Sequence, residues 1–169
     1  MKKLTLSFML LISLFNLSVN AAEATFDKIK NFHFVSEQLA SAGMLDLAEY
    51  SNIKQYGFKH VINLIPGNQI KERKHVESLG LSYAQIAVDW DNPKPEDFEE
   101  FAELMQNYAN DKVFVHCQLN WRASTFVYLY RVTHLGVAQE TAKKDLLAIW
   151  TPEPTWQQFI ESTLKAYQG

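Results

Sequence analysis

The chain has 169 residues, of which 47% are hydrophobic and 21% are charged, enough apolar material for one core of ordinary size. Its formal net charge is −3 and its basic residues are scattered, which argues against a nucleic-acid partner because duplex binding needs clustered Lys and Arg. The five His residues show no close ligand spacing and no P-loop motif occurs, so we expect neither a metal nor a cofactor.

Residues 1–21 have the layout of a bacterial secretory signal peptide. Lys2 and Lys3 give a positive start, residues 4–17 form an apolar run broken only by Thr, Ser and Asn, and Val19-Asn20-Ala21 offers a cleavage site. The run is shorter than the roughly 20 apolar residues of a membrane span. We predict a signal peptide over 1–21 and a mature domain over 22–169, periplasmic or secreted, with no membrane contact after cleavage. Loss of the two Lys changes the formal charge from −3 to −5.

Strand and helix patterns alternate along the mature domain. Gly57, Pro66 and Gly80 end the early elements, and acidic residues fill the first turns of the helix that starts at Pro95, where the helix dipole favours them. In chain order, the predicted elements are strands 32–35 and 38–41, helix 44–56, strand 60–65, helix 69–79, strand 82–88, helix 95–110, strand 113–115, and helices 122–135, 138–149 and 155–167.

This alternation predicts an α/β fold. Strands joined by helical crossovers pair in parallel, so we expect a mostly parallel central sheet flanked by helices. Ligands in such sheets bind beyond the carboxyl ends of the strands. The loop over residues 116–121 directly follows the predicted strand 113–115 and therefore lies where a ligand is expected.

A cysteine and an arginine occupy this strand-to-helix loop. Cys117 is the only cysteine, so no internal disulfide can form. At a helix N-terminus, free backbone N–H groups and the helix dipole favour an anion and favour the thiolate, the nucleophilic form. Arg122 adds a planar cation that suits oxyanions. His116 is expected to brace the loop by hydrogen bonding, and the Ser124 hydroxyl is placed to donate to the thiolate or to a leaving group.

Val-His-Cys, a short loop, Arg and Ser together resemble the signature of the cysteine-dependent protein tyrosine and dual-specificity phosphatases. The order of elements over roughly residues 32–135 is similar to a compact dual-specificity-like domain. The nearest group is a set of small bacterial phosphatase-like proteins related to the beta-lactamase-hydrolase-like domain. The resemblance implies hydrolysis of phosphomonoesters, phosphotyrosine or a small aryl phosphate among them, through a phosphocysteine on Cys117, with a phosphorylated small molecule or protein as partner. Arg122 and the amides of the loop would hold the phosphoryl group, at Gln118, Leu119, Asn120 and Trp121.

The spacing of the signature departs from that family. Phosphatases have five residues between Cys and Arg, and this chain has four. Aligned without a gap, Ala123 takes the Arg position, Ser124 the Ser/Thr position and Asn120 the Gly position. Four residues resemble instead the active loop of rhodanese-type sulfurtransferases, in which the Cys carries a persulfide. A third alternative is an anion-binding module with weak or no catalysis.

The resemblance also implies a general acid from the loop after strand 82–88. Asp89 and Asp91 flank the family position, which falls near Trp90. Asp91 is further from the strand end and is the preferred candidate, while a plain polar turn is the alternative. A general acid must reach the leaving oxygen. Trp90 and Trp121 could wall a pocket for an aromatic substrate, although large aromatics more often complete a core.

Overall fold

A five-stranded sheet organises residues 26–167, the part of the chain that the computed structural model describes. The strands are β1 (His33–Phe34), β2 (Leu39–Ala42), β3 (Phe58–Asn63), β4 (Ser82–Gln85) and β5 (Lys112–His116). Their order across the sheet is β1-β2-β5-β3-β4, and every neighbouring pair is parallel except β1 and β2. The predicted α/β fold with a mostly parallel sheet is therefore confirmed. The predicted signal peptide, residues 1–21, lies outside the described residues.

Helices cover both faces of this sheet. Within residues 26–167 they are α1 (Tyr50–Gln55), α2 (Ile70–Ser78), α3 (Pro95–Asn107), α4 (Trp121–Thr133), α5 (Gln139–Ile149) and α6 (Pro154–Ala166), with a short 3-10 turn at Leu47–Glu49. One core cluster joins the sheet to α3, α4, α5 and α6, and a second joins it to α1, α2 and the segment around Phe26. In the described part of the chain, no helix is long and apolar enough to cross a membrane.

The central strand β5 sends its side chains alternately to the two cores. Val115 and Cys117 belong to the core under α4, whereas Phe114 belongs to the core under α1 and α2. The Phe114 ring stacks on the His116 ring, with centroids 5.9 Å apart. This follows from the two-residue period of a strand. Cys117 and His116, although adjacent in sequence, therefore lie on opposite faces of the sheet.

Two element boundaries differ from the predicted ones for a reason that concerns the loop after β5. Residues 44–46 are not helical, because the Met44 N–H donates to the Gln118 carbonyl (3.1 Å). The strand predicted over 82–88 ends at Gln85, and the chain then runs on so that the Val88 carbonyl accepts from Arg122 (2.9 Å). Both segments leave regular structure to contact the loop.

Candidate active site

The loop from Cys117 to Asn120 turns the chain from β5 into α4 in a few residues. The Cys117 N–H donates to the Ala42 carbonyl (3.2 Å), and an isolated antiparallel bridge then pairs Leu119 with Gly43, directly after β2. Asn120, at the N-cap of α4, has a left-handed backbone with φ of 66°. Asn adopts this conformation more readily than most residues. Asn120 therefore supplies the left-handed backbone conformation at the position where the phosphatase signature has a Gly.

The backbone of this loop is arranged to receive an anion. Two of its carbonyls are engaged by outside donors, Gln118 O by the Met44 N–H (3.1 Å) and Leu119 O by the Asn31 Nδ2 (2.9 Å). Within residues 26–167, the N–H groups of Gln118, Leu119 and residues 121–123 have no hydrogen-bond acceptor, whereas the bridge between Gly43 and Leu119 directs the Asn120 N–H to the Ala42 carbonyl. A run of free amides at a helix N-terminus is a typical binding site for phosphate or sulfate.

A pocket of about 220 Å³ opens over the thiol. Its lining residues are Trp90, Cys117, Gln118, Leu119, Trp121 and Arg122. Cys117 is only 1% exposed, so its thiol lies at the bottom of this pocket with little contact with solvent. Arg122 is 7% exposed and its Nη1 donates to the Val88 carbonyl (2.9 Å), which fixes the guanidinium in place. The predicted pairing of Cys117 with Arg122 is thus present as one site.

The four tryptophans of the chain meet at one side of this pocket. Trp90 and Trp121 lie with ring centroids 5.5 Å apart, and Trp150 stacks on Trp121 at 5.2 Å with the planes inclined by 6°. Trp156 packs behind Trp90 at 5.2 Å, and its Nε1 donates to the Trp90 carbonyl (3.1 Å). Trp90 and Trp121 are half-buried, so the two indoles finish the core and also present an aromatic wall to the pocket.

On the opposite face of the sheet, His116 belongs to a buried polar network. Its Nε2 donates to Glu72 Oε1 (3.0 Å), since a carboxylate oxygen only accepts, and the Tyr50 hydroxyl lies 3.2 Å from the same nitrogen. Asn63 Nδ2 donates to Glu72 Oε1 (2.8 Å) and lies 2.9 Å from the Tyr83 hydroxyl. The predicted bracing role of His116 therefore has a concrete partner, Glu72, on helix α2.

The network shifts the titration of its members. Burial alone would raise the pKa of the Glu72 carboxyl, but His116 first, and then Tyr83 and Asn63, hold that pKa below its ordinary value. Burial, with the Glu72 charge as the next cause, raises the pKa of both the Tyr50 and Tyr83 hydroxyls. Glu72 is therefore a mostly buried carboxylate at neutral pH, surrounded by groups that donate to it.

Neither candidate acid lines the Cys117 pocket. The Asp89 carboxylate accepts from the Asp91 N–H (2.9 Å), which is the pattern of a local Asx turn. Asp91 is exposed and lies in a separate polar groove of about 380 Å³. Residues 91–93, Pro95 and residues of α6 such as Thr155 and Gln158 form this groove. The structure thus brings Trp90 of this loop to the thiol, with both Asp side chains directed elsewhere.

Ser124 and Ala123 also lie away from the pocket. The Ser124 hydroxyl donates to the Trp121 carbonyl (3.2 Å) inside helix α4, and the side chain lies near Tyr128 and Arg131 on the β1 side of that helix. Ala123 is fully buried in the core. The Asn120 side chain is buried as well, and its Nδ2 donates to the Asn31 carbonyl (2.7 Å). These side chains support the loop rather than face a ligand.

Three residues of the site were not found from the sequence. Glu72 reads as one of several charges on a polar helix, Asn31 as a turn residue, and Trp150 as the end of an amphipathic helix. The one available signal was composition, because four tryptophans in a chain of this length suggest a cluster. Nothing in the local sequence of Glu72 or Asn31 indicates its distant partner.

No protein-family model matches the chain. Among solved structures, it is similar to a DUF442 protein of Shewanella putrefaciens CN-32, a phosphatase candidate, with 31% identity, coverage of 86% of this chain and 98% of that one, and a TM-score of 0.76. It also shares its fold with TpbA of P. aeruginosa, solved in complex with pTyr, at 13% identity, 82% and 91% coverage and a TM-score of 0.65.

A curated relative matches part of the chain. The chain is 28% identical to the beta-lactamase hydrolase-like protein of Agrobacterium fabrum over 102 residues. This match covers 56% of this chain. The match spans 23% of that relative, so most of the relative has no counterpart here. Together these similarities confirm the resemblance to cysteine-dependent phosphatases and the dual-specificity-like character of the fold.

Proposed function

Since the chain belongs to the same family as the S. putrefaciens DUF442 protein, we propose that it is a cysteine-dependent phosphatase that hydrolyses phosphomonoesters. One observation carries the proposal: Cys117 and Arg122 line a single pocket above a loop in which the amides of residues 118, 119 and 121–123 have no acceptor within residues 26–167. A nucleophile, a cation and a ring of donors are the groups that phosphoryl transfer requires.

The reaction proceeds in two steps on Cys117. The thiolate sulfur attacks phosphorus, an S–P bond forms, the ester P–O bond breaks, and the leaving oxygen takes a proton. Water then attacks the phosphocysteine and gives a proton back to the carboxylate of the Asp that supplied the first one, the S–P bond breaks, and inorganic phosphate leaves with the thiolate restored. The loop amides and Arg122 hold the equatorial oxygens in both steps. The proton for the leaving group comes from Asp91 or Asp89 after a movement of the loop that carries them.

The proposed substrates are aryl phosphates, either phosphotyrosine or a smaller aryl phosphate. Trp90 and Trp121 form the wall of the pocket next to the thiol, and an aryl leaving group stacks on such rings while an alkyl chain does not. The fold neighbour TpbA was solved with pTyr. The sequence of residues 1–21 separately supports an exported enzyme that meets its substrate in the periplasm or outside the cell.

The test is hydrolysis of p-nitrophenyl phosphate by the purified protein. We expect phosphate release that is abolished by Cys117→Ser, is inhibited by vanadate, and leaves a phosphocysteine trappable by acid quench and mass spectrometry. Sulfur transfer from thiosulfate to cyanide, without phosphate release, would assign the sulfurtransferase alternative, which the similarity to phosphatase structures does not favour. Failure of both assays would leave an anion-binding module.

Specificity is tested at the aromatic wall. Trp121→Leu should raise the KM for an aryl phosphate several-fold relative to an alkyl phosphate, because the stacking surface is lost. Trp150→Phe is the matched control, since Trp150 stacks behind Trp121 and phenylalanine keeps an aromatic ring there. An equal change for both substrates in Trp121→Leu would argue against the aryl preference.

A further inference from the structure

The acid loop, which joins β4 to α3, carries Trp90 to the thiol pocket. In the described part of the chain, residues 89–93 of this loop make one hydrogen bond to another element, in which the Trp90 carbonyl accepts from Trp156 Nε1 (3.1 Å). The bond from the Asp91 N–H to Asp89 Oδ1 (2.9 Å) stays inside the loop. The position of this part of the loop therefore depends on Trp156.

Trp156 is itself held firmly by the core. It lies in the first turn of α6 and is fully buried. Its ring packs edge-on against Phe159, with centroids 5.6 Å apart, and lies 6.5 Å from the ring of Phe126 on α4. Side chains in a close-packed core keep one position, so the indole N–H of Trp156 is a donor fixed in space.

This donor holds the backbone of the residue whose side chain forms the aromatic wall. From a fixed backbone a side chain reaches only a few staggered rotamers, so an anchored Trp90 carbonyl limits where the Trp90 indole can lie. We propose, on the basis of the proposed function, that Trp156 is a positioning residue that keeps the Trp90 indole against the Cys117 pocket and thereby maintains the preference for aryl phosphates. Helix α6 would then contribute to specificity from outside residues 32–135, the range whose order of elements resembles the phosphatases.

Ring packing alone would position Trp90 less well than this hydrogen bond does. The Trp90 ring also lies 5.5 Å from Trp121 and 5.6 Å from Trp150, but aromatic pairs are favourable over a broad range of centroid distances, about 4.5–7 Å. A hydrogen bond has a narrower range of length and direction. A neutral hydrogen bond is equivalent to a factor of about 2–12 in an equilibrium constant, so its loss would let the loop occupy positions in which the wall is absent.

The experiment uses Trp156→Phe, which keeps an aromatic ring in the core and removes the N–H donor. Calorimetry in a Cys117→Ser background, where turnover is prevented, gives the Kd of phenyl phosphate and that of inorganic phosphate. The ratio of the two Kd values is the aryl preference, and a loss of folded protein does not change it. Gln157→Ala is the matched control, since Gln157 Nε2 donates to the Pro152 carbonyl (2.7 Å) and not to the acid loop. Steady-state kinetics on p-nitrophenyl phosphate and the thermal midpoint complete the measurements.

In Trp156→Phe we expect the aryl preference to fall about threefold to fivefold, with the Kd of inorganic phosphate unchanged. The KM for p-nitrophenyl phosphate should rise by a similar factor while kcat changes less. Gln157→Ala should keep the aryl preference of the parent protein. In a Trp90→Leu background the preference is already lost, and Trp156→Phe should reduce it no further, because Trp156 acts through Trp90.

A lower thermal midpoint in Trp156→Phe with an unchanged aryl preference would overturn the proposal and leave Trp156 a purely structural residue. A further loss of preference in the Trp90→Leu background would overturn it too, since Trp156 would then act by another route. If the active protein hydrolyses no ester but the Cys117→Ser protein prefers phenyl phosphate, the proposed function fails while the binding comparison still decides the role of Trp156. If phenyl phosphate binds no more tightly than inorganic phosphate, the role of Trp156 is refuted whether or not hydrolysis occurs.

Discussion

Replacing Glu72 by Gln tests the buried network behind Cys117 with almost no change of shape. The carboxylate oxygen accepts from His116 Nε2 at 3.0 Å and from Asn63 Nδ2 at 2.8 Å, and the Glu72 side chain is 12% exposed and that of His116 fully buried. Glutamine keeps an acceptor oxygen at the same place. The substitution therefore removes the charge and leaves two neutral hydrogen bonds.

The expected loss follows from those two bonds. A hydrogen bond to a charged group contributes about 1.5–3 kcal/mol and a neutral one about 0.5–1.5 kcal/mol, so two bonds that lose their charge cost about 2 kcal/mol. For a domain of this size that corresponds to about 4–8 °C in the thermal midpoint. Glu72→Ala leaves both donors buried without an acceptor and should cost about 3–5 kcal/mol.

The loss should also depend on pH in a defined direction. The pKa of Glu72 is lower in the folded protein than its ordinary value of 4.5. A carboxyl with a lowered folded pKa contributes stability that is complete above its unfolded pKa and is lost as the pH falls through the folded value. The difference between wild type and Glu72→Gln should be constant above about pH 5 and shrink as the pH falls below 4.5.

Urea unfolding at several pH values measures this difference. Glu77→Gln is the control, because Glu77 lies on the same helix, is half exposed and pairs with Arg73 at 3.7 Å, and such a surface pair contributes about 0–1 kcal/mol. A Glu72→Gln variant within about 0.5 kcal/mol of wild type at pH 7, equal to the control, would refute the reasoning. So would a difference that persists unchanged into acid.

Three further predictions concern the loop, the acid and export. Gly43→Ala should cost about 1–3 kcal/mol of stability and lower phosphatase activity, because the added Cβ would press on the Lys30 and Gln118 carbonyls. Thermal unfolding and p-nitrophenyl phosphate turnover measure the two effects, and no change in either would contradict this prediction. Asp91→Asn or Asp89→Asn should lower turnover of an alkyl phosphate by about 10²-fold and of the activated aryl ester much less, whereas small equal effects would indicate a plain turn. Mass spectrometry of the protein from its native host should find an N-terminus near Ala22, and recovery of an intact Met1 form would count against export.

Much of the architecture could be predicted because it is local. The apolar run before Pro66 and the short run before His116 predict buried strands, and Gly57, Gly80 and Gly136 mark helix ends where the backbone has positive φ. The thiol and Arg122 could be placed together because four residues of loop and helix separate them. In each case the physical signal lies within a few residues of the feature that it predicts.

The supporting contacts could not be predicted because they join distant segments. Asn31 and Leu119 are 88 residues apart, and Glu72 and His116 are 44 apart, so neither pair produces a periodicity or a motif. The positions of the Asp89 and Asp91 side chains could not be predicted for the same reason. The Asx turn that holds Asp89 and the groove that holds Asp91 depend on where α6 packs. Sequence identified residues able to carry the chemistry, and tertiary packing decided which of them face the pocket.

The short loop need not exclude phosphoryl chemistry. A longer loop can close around an anion through its own internal bonds, whereas here Asn31 and the Met44 N–H hold the Leu119 and Gln118 carbonyls outward from outside. The missing residue is thereby offset by contacts, and the amides of residues 118, 119 and 121–123 are left without an acceptor in the described part of the chain. Asn120 contributes its left-handed φ of 66°, which lets so few residues complete the turn into α4. The spacing between Cys117 and Arg122 is therefore a poor guide to chemistry unless the segments that brace the loop are considered with it.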